Sequence, residues 1–377
     1  MKEIKTKNQI GNDLKHISSY LSNVEDFRME NKCFHKLSDI LFIGLLTFLS
    51  SGEDYEDMVL FGKTHRDFLQ DYISLPNGIP SHDTFRRVFS MLAADILRKC
   101  LNDYGKDMIG LLSEKQICLD GKKLKGASPT SRGNQGLYIL NAWVAENRIC
   151  IGQKRVEDKS NEITALPALV EELDINEAVV SIDAIGCQRE IAKQITEKGG
   201  HYLLSLKANQ GELYDDTVCG FKACANESVS ETWEYGHGRY ETRRCSIISS
   251  QKALLPENQE QWKELKTLIK VEATRSIKGL ETTEIRYYIS SEQGENAKYF
   301  NELVRGHWGI ENHLHWHLDV TFKEDASRAR TANAPENLST LRKLALQIIT
   351  EQKDKLSIRK RRLKAAYDIN YLKKIIG

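Results

Sequence analysis

The order of strand-like and helix-like segments between residues 114 and 211 constrains the fold of this chain more than any other feature. It starts with "QICLDGKKLKG" and "LYILNAWVAENRICIGQKRV", and the polar turn at 146–148 divides the second run into two strands. Helix-like "NEITALPALVEELD", strand-like "AVVSIDA", helix-like "CQREIAKQITEKGG" and strand-like "HYLLSLKANQ" follow. Three antiparallel strands and then two helix–strand units predict one mixed sheet with right-handed crossovers.

The predicted fold class is mixed α/β, with a ribonuclease-H-like core that is flanked by other parts. Residues 1–113 show helical apolar spacing and are assigned to an N-terminal helical domain, in which Ser81 is a plausible helix cap. The core domain is assigned to residues 114–350. Aromatic and β-branched residues predict a β-rich insertion at about 212–293. Residues 351–377, rich in Lys and Arg, are assigned to a basic C-terminal tail.

Charge and cysteine usage exclude several classes of protein. The formal net charge is +1, so any affinity for nucleic acid must come from local patches. None of the eight cysteines forms a Cys-x-x-Cys pair, which indicates a reducing compartment rather than disulfides or a cysteine zinc site. The N-terminus lacks the apolar segment of a signal peptide, and the run "ILFIGLLTFLS" is about half as long as a membrane span. We therefore expect a cytoplasmic protein.

Two acids stand at the ends of apolar strands. Asp120 lies in "ICLDGKK" on the first predicted strand, and Asp183 ends the fourth, "VVSIDA". A turn residue or helix cap is the simpler interpretation of either acid alone. In the predicted fold, however, the first and fourth strands are neighbours, so the two carboxylates would converge. Converging carboxylates repel each other unless a cation lies between them, and carboxylate oxygens suit Mg²⁺ or Mn²⁺.

Phosphoryl transfer on two metal ions needs a third acid. Of the five acids between 302 and 325, Glu311 fits best, because it lies in "HWGIENHLHWHL" with Trp308, Leu314, His315 and Leu318 at offsets −3, +3, +4 and +7. This spacing predicts a helix on which Glu311 faces the core, where a carboxylate needs a metal or a cationic partner.

The sequence resembles the bacterial insertion-sequence DDE transposases of the H-repeat-associated type over nearly its whole length. The blocks that carry the resemblance include "DFRMENKCFHKLSDIL" and "PSHDTFRRVFS" in the helical part, and "DGKKLKGA", "SIDAIGCQREIAKQI" and "RGHWGIENHLHWHLDVTFKEDASR" after it. By this resemblance Asp120, Asp183 and Glu311 are the catalytic triad and the metal ligands, with Mg²⁺ or Mn²⁺ as the cofactor. The N-terminal helices would bind DNA or accompany the catalytic domain.

The resemblance also implies an activity and partners. The activity is metal-dependent cleavage at the ends of the element, followed by transfer of the 3′-OH into target DNA. The partners are double-stranded DNA, as terminal inverted repeats and as target, and a second protomer in a homodimer. Many related transposases carry Tyr, Arg and Lys at −7, −4 and +7 from the glutamate, where this chain has Val304, His307 and Leu318. The DNA-end contacts and the hairpin intermediate of those relatives are therefore not implied here.

Several basic and polar side chains are candidates for DNA binding. The first group follows Asp120 in a predicted loop, the second ends the strand beside Asp183, and the third lies in the insertion. They are Lys122, Lys123 and Lys125, then Lys207 and Asn209, and then His237, Arg239, Arg243 and Arg244. A solvated basic turn is the alternative for the lysines after Asp120. Pairing with Glu241 on the same strand face is the alternative for the arginines.

Two other functions remain open at this stage. One is a zinc hydrolase that uses His313, His315 and His317, which requires a strand, because residues two apart on a helix point about 200° apart. The other is a catalytically silent, domesticated DNA-binding protein descended from a transposase. The presence of all three acids argues against the silent protein.

Overall fold

The N-terminal part of the chain is helical in the computed structural model, which describes residues 17–127, 137–156, 162–236 and 238–377. Its α-helices are α1 (Ile17–Ser22), α2 (Leu37–Leu49), α3 (Tyr55–Thr64), α4 (Arg66–Gln70), α5 (His82–Met91) and α6 (Ala94–Ile109). Side-chain caps explain where two of them begin. Asp54 accepts hydrogen bonds from the N–H groups of Glu56 and Asp57 before α3. Ser81 accepts one from Thr84 before α5, so the predicted cap is confirmed.

The five predicted core strands are present, and they form one mixed sheet. The elements are β1 (Gln116–Leu124), β2 (Leu137–Val144), β3 (Ile149–Val156), α7 (Glu162–Glu172), β4 (Val179–Ile182), α8 (Arg189–Glu197) and β5 (His201–Leu206). The strand order is β3-β2-β1-β4-β5. β1, β2 and β3 pair antiparallel, whereas β4 pairs in parallel with both β1 and β5. All four residues of β4 are buried, as expected of a parallel strand covered on both faces. The ribonuclease-H-like prediction is confirmed.

The insertion is β-rich, as predicted, and it extends the same sheet. Its elements are α9 (Gly211–Ala223), β6 (Ser228–Gly236), β7 (Arg239–Ser249), α10 (Ser250–Ala253), α11 (Pro256–Glu260), β8 (Thr267–Ile277) and β9 (Leu280–Ser290). β6–β7 and β8–β9 are long antiparallel hairpins, and β9 pairs antiparallel with β5. The described strands therefore form a sheet of nine, in the order β3-β2-β1-β4-β5-β9-β8-β7-β6.

The chain after the sheet is helical. Its segments are α12 (Ala297–His307), two π-helical turns (Glu311–His315 and His317–Thr321), α13 (Ala334–Thr350), α14 (Ile358–Tyr367) and α15 (Ile369–Ile376). α13 is buried along all of its length except the last residue, and it contributes to one apolar core together with α2, α5 and α6. α7, α8 and α9 cover the opposite face of the core sheet. Within the described residues, no helix has both the length and the apolar character needed to cross a membrane.

The segment 351–377, which we expected to be a basic tail, forms α14 and α15 and packs onto the helical core. Arg362 is 3% exposed, and its guanidinium donates hydrogen bonds to the carbonyl oxygens of Phe48 at 2.8 Å and Gly52 at 3.2 Å. It also lies 4.1 Å from the centroid of the Phe322 ring. Part of the positive charge is therefore structural, because it satisfies backbone carbonyl groups at the C-terminal end of α2.

Candidate active site

Asp120 lies near the middle of β1, on the sheet face that carries the helix of Glu311. Its cross-strand partner is Asn141 on β2, and its Oδ1 accepts a hydrogen bond from Gly121 N–H at 3.0 Å. Burial raises the pKa of Asp120 to about 6, and the charges of Asp183 and Glu311 act in the same direction. A carboxyl group with this pKa is poorly solvated and has acidic neighbours, which is a favourable environment for a cation.

Asp183 follows β4 directly and is exposed. Leu119 and Ile182 pair in the parallel register of β1 and β4, so Asp120 and Asp183 are the next residues on neighbouring strands. Asp183 also accepts a hydrogen bond from Ile185 N–H at 3.2 Å, as the cap of a short 3₁₀ turn. Both interpretations of this acid thus describe the same residue: it caps a turn, and it lies beside Asp120.

Glu311 lies in the helical segment predicted for it, but not on a core-facing side. Its side chain is 61% exposed, whereas Leu314 and Leu318 of the predicted stripe are buried and Trp308 is 47% exposed. The segment does not keep the α-helical period because it is π-helical: Trp316 N–H bonds to Glu311 C=O, five residues back. π turns of this kind are frequent at functional sites. Glu311 thus reaches Asp120 from the rim of the core rather than from within it.

His315 is the site residue that sequence reasoning missed. It is 3% exposed, and its Nδ1 lies 3.0 Å from Glu311 Oε2 and 3.5 Å from Asp120 Oδ2. Asp120, Glu311 and His315 form the one group of three potential metal ligands within 4.8 Å that the described residues contain. The hydrogen bond from His315 contributes most to lowering the pKa of Glu311. Its i, i+4 spacing from Glu311 is visible in the sequence and is the signal that could have identified it.

Glu162, in the first turn of α7, is a second carboxylate that the sequence did not single out. A Cβ added at Gly121 would lie 2.3 Å from Glu162 Oε1, so this carboxylate lies directly over the Gly121 backbone. Burial raises the pKa of Glu162 to about 7, followed by the charges of Asp183 and Asp120. A side chain at residue 121 would therefore displace the Glu162 carboxylate from its place beside Asp120, and Glu162 joins Asp120, Asp183 and Glu311 as a fourth acid around the middle of β1.

A buried polar network holds α12 against the strands that carry the aspartates. Gln116 Nε2 donates hydrogen bonds to Ser181 Oγ at 2.9 Å and to Leu303 C=O at 2.8 Å. Ser181 Oγ also lies 3.0 Å from His307 Nδ1. Burial lowers the pKa of His307 to about 4, so this ring is neutral at pH 7. The network joins β1, β4 and α12, and it fixes where the helix of Glu311 starts.

Comparison with known proteins identifies the family. A family model described as "Transposase DDE domain" matches residues 112–348, and one described as "DDE_Tnp_1-associated" matches residues 18–105. The "H repeat-associated putative transposase YhhI" of Escherichia coli K12 is 36% identical over 97% of this chain and 98% of its own length. This chain is a member of the DDE transposase family. The "Putative transposase YncI" of Escherichia coli O157:H7 is 35% identical over 97% of this chain and 95% of its own length.

Among solved structures, the chain is similar to a piggyBac transposase in a synaptic complex with hairpin DNA. The identity is 11% and the TM-score is 0.43, over 98% of this chain and 79% of that one.

Lys122 of this DDE transposase is not in a loop, because β1 continues to Leu124. Its side chain is 6% exposed, and its Nζ lies 2.6 Å from Asp319 Oδ1 and 3.4 Å from both Glu324 Oε2 and Asp325 Oδ1. Glu324 itself is 2% exposed. Lys122 therefore neutralises one buried and two partly buried acids and does not present its charge to a phosphate.

The other two lysines of this group are more accessible. Lys123 Nζ lies 5.5 Å from the centroid of the Tyr138 ring, and the side chain is partly buried. Lys125 is 74% exposed, and its Nζ lies 2.9 Å from Asp325 Oδ2. Of the three candidates, Lys125 is the one that can turn towards a phosphate most easily, because its ion pair is largely solvated.

The candidates after β5 differ in role. Lys207 is exposed at the end of the strand next to β4. Asn209 Nδ2 donates a hydrogen bond to Ala184 C=O at 2.8 Å, so its amide supports the turn that follows Asp183. Lys207 stays a candidate for DNA binding, whereas Asn209 has a structural partner beside the active site.

The arginines of the insertion pair with the acid on their own strand, as the alternative interpretation expected. Arg243 forms an ion pair with Glu241, and Arg239 NH2 and Arg275 Nε approach the same carboxylate at 3.7 and 3.6 Å. Arg244 points to the other face of the hairpin and is exposed. His237 lies outside the described residues.

The three alternate histidines do not share a ligand position. They lie in π-helical turns rather than on a strand. The His313 ring stacks on Trp143 with centroids 6.2 Å apart, and His317 Nδ1 lies 3.1 Å from Thr321 Oγ1. His315 alone faces the carboxylates. The zinc-hydrolase alternative required a strand on which the three histidines face one ion, and the π-helical turns do not provide it.

Proposed function

We propose that this chain is the DNA transposase of an insertion sequence, which cuts DNA at the ends of its element and transfers the resulting 3′-OH into target DNA. The observation that carries the proposal is that ligand atoms of Asp120, Glu311 and His315 lie within 4.8 Å of one another. Asp183 directly follows the strand that pairs with β1, and the chain belongs to the DDE transposase family. We place this activity in the cytoplasm, on the DNA of the host cell.

The residues present fit a pair of hard divalent cations, Mg²⁺ or Mn²⁺, held by Asp120, Asp183 and Glu311. The fit rests on the donor set, which is made of carboxylate oxygens, and on the environment of Asp120, whose pKa is raised first by burial and then by the charges of Asp183 and Glu311. When bound, such ions activate an oxygen nucleophile and stabilise the leaving oxygen of a phosphodiester. The chain itself supplies a fixed frame, because Asp120 lies on β1, Asp183 directly follows the paired strand β4, and Glu311 is held by His315.

The same site would serve both steps. Water is the nucleophile in cleavage, and the freed 3′-OH is the nucleophile in strand transfer, so no covalent enzyme–DNA intermediate is needed. The exposed cations Lys125, Lys207 and Arg244 are our proposed phosphate contacts. Because two element ends must be joined to one target, the working unit is proposed to be a homodimer on terminal inverted repeats.

The test is incubation of the purified protein with duplexes that carry the ends of its own element, in Mg²⁺, Mn²⁺ or EDTA. We expect nicked and joined products with either metal and none in EDTA. Glu311→Gln should abolish both products and leave binding to the ends largely intact, because the amide keeps the shape of the side chain but loses its charge. His313→Ala and His317→Ala should retain substantial activity.

The outcome separates the alternatives. A catalytically silent DNA-binding protein would bind the ends and give no product with any metal. A zinc enzyme would contain stoichiometric zinc, tolerate Glu311→Gln and lose activity with either His313→Ala or His317→Ala. Either pattern would contradict the proposed function.

A further inference from the structure

We propose that His315 is a positioning residue: its Nδ1–H holds the Glu311 carboxylate beside Asp120, and Asn141 fixes the ring tautomer that makes this possible. The consequence for metal binding rests on the proposed function, whereas the tautomer itself does not.

The first step is the orientation of the Asn141 amide. Asn141 is fully buried on β2, directly across from Asp120. Its Nδ2 donates a hydrogen bond to the backbone carbonyl oxygen of Ile139 at 3.2 Å. With the amide turned over, its oxygen would face that carbonyl oxygen, and two acceptors would meet in a buried place. Nδ2 is therefore the atom on this side.

The second step is the protonation of the His315 ring. Asn141 Nδ2 lies 3.3 Å from His315 Nε2, and an amide nitrogen can only donate. Nε2 must then accept, so it carries no proton. His315 is 3% exposed, so bulk solvent does not compete for this contact. The tautomer with its proton on Nδ1 satisfies both partners.

The third step is what the Nδ1–H does. It points at Glu311 Oε2 at 3.0 Å and lies 3.5 Å from Asp120 Oδ2. A protonated Nδ1 has no lone pair for a metal ion, so His315 supports the ligands and is not one itself. Glu311 is 61% exposed and would otherwise sample several rotamers, and the bond from a buried ring restricts it to the one that faces Asp120.

Two amide substitutions at one position separate this role from general packing. The asparagine nitrogen stands where Nδ1 stands in histidine, whereas the glutamine nitrogen reaches the place of Nε2. We expect His315→Gln to weaken Mn²⁺ binding, measured by titration calorimetry without DNA, by about 10–100-fold, the usual cost of losing a group that orients a ligand. His315→Asn should retain most of the affinity. The matched control is His313→Gln, which should bind Mn²⁺ as the unaltered chain does.

Binding to element ends and melting temperature show whether each variant is folded. Equal losses of Mn²⁺ affinity in folded His315→Asn and His315→Gln, or no loss in either, would overturn the proposal. So would a loss in His315→Asn alone.

The tautomer can be read directly in the unaltered protein labelled with ¹⁵N-histidine. Two-bond ¹H–¹⁵N correlation spectra should show, for the signal missing in His315→Asn, a protonated Nδ1 and an unprotonated Nε2, unchanged on addition of Mg²⁺. A protonated Nε2, or loss of the Nδ1 proton on addition of Mg²⁺, would refute the proposed positioning of Glu311 by His315. A protein that has the expected tautomer but never cleaves DNA would instead refute the proposed function, and the positioning of Glu311 by His315 would remain supported.

Discussion

Replacing Lys122 by methionine should destabilise the protein strongly while changing its affinity for DNA little. The ammonium faces three carboxylates, and one of them, on Glu324, is 2% exposed with neither oxygen hydrogen-bonded. Burial by itself would lower the pKa of Lys122, but Glu324, Asp319 and Asp325 outweigh it and the pKa is raised. Methionine keeps the length of the side chain and removes only the charge.

The cost follows from leaving a buried carboxylate without its cation, which is typically about 3–5 kcal/mol. With an unfolding entropy of about 2.1 cal/mol/K per residue over this chain, that loss corresponds to a melting temperature lower by roughly 4–6 °C. The raised pKa also fixes the sign with pH. The contribution of Lys122 is fully present below the pKa of an unfolded lysine and is lost as the pH rises through the higher folded pKa.

Differential scanning calorimetry at pH 7 and a titration of end-containing DNA would be run together. Lys123→Met is the matched control, because Lys123 is next in the strand, partly buried and stacked on Tyr138, and it should shift the melting temperature far less. Adding Glu324→Leu to Lys122→Met should recover part of the loss. A melting temperature within 1 °C of the parent together with weaker DNA binding would refute the buried role and restore Lys122 as a phosphate contact.

Three further predictions concern the site and its surroundings. Burial raises the pKa of Glu162 to about 7, so the metal-free protein loses stability as the pH rises through this folded pKa. In EDTA, the melting temperature of Glu162→Gln should therefore exceed that of the parent at pH 8 but not at pH 4. Arg244→Ala should weaken DNA binding and reduce the slope of log affinity against log salt concentration by about one. Arg243→Ala, which breaks an internal ion pair, should leave that slope unchanged, and equal slopes for the two variants would contradict this. Gly309→Ala places a Cβ 2.7 Å from the buried Trp143 ring, so it should lower the free energy of unfolding by about 1–3 kcal/mol. An unchanged midpoint in denaturant would show that the helix can shift freely.

The strands and the two aspartates could be predicted because the information is local. Each core strand is a short apolar run, and a fold that makes β1 and β4 neighbours places Asp120 beside Asp183 without knowledge of side-chain contacts. Glu311 was chosen from its place in an apolar helical stripe, and its carboxylate does lie near Asp120. Its exposure could not be predicted from an α-helical period, because the segment is π-helical.

Apart from His315, whose partner Glu311 is four residues away, the features that were missed depend on partners that are distant in the chain. Lys122 meets acids about 200 residues later, and nothing in "DGKKLKG" distinguishes it from a lysine in a solvated turn. Glu162 becomes part of the site only because α7 starts over Gly121. Arg362 was counted as a charge of a tail, since its carbonyl acceptors on Phe48 and Gly52 lie about 300 residues away.

The single apolar core shared by both ends of the chain has a consequence for biosynthesis. Twelve of the thirteen residues of α2 are buried, and much of their cover comes from α13, which leaves the ribosome roughly 300 residues later. At about 5–20 residues per second, this interval is about 15–60 s. During it, the most apolar helix of the nascent protein is without its final partner. We therefore expect newly made chains to depend on chaperones, and chains that stop before α13 to be degraded rather than to persist as separate N-terminal domains.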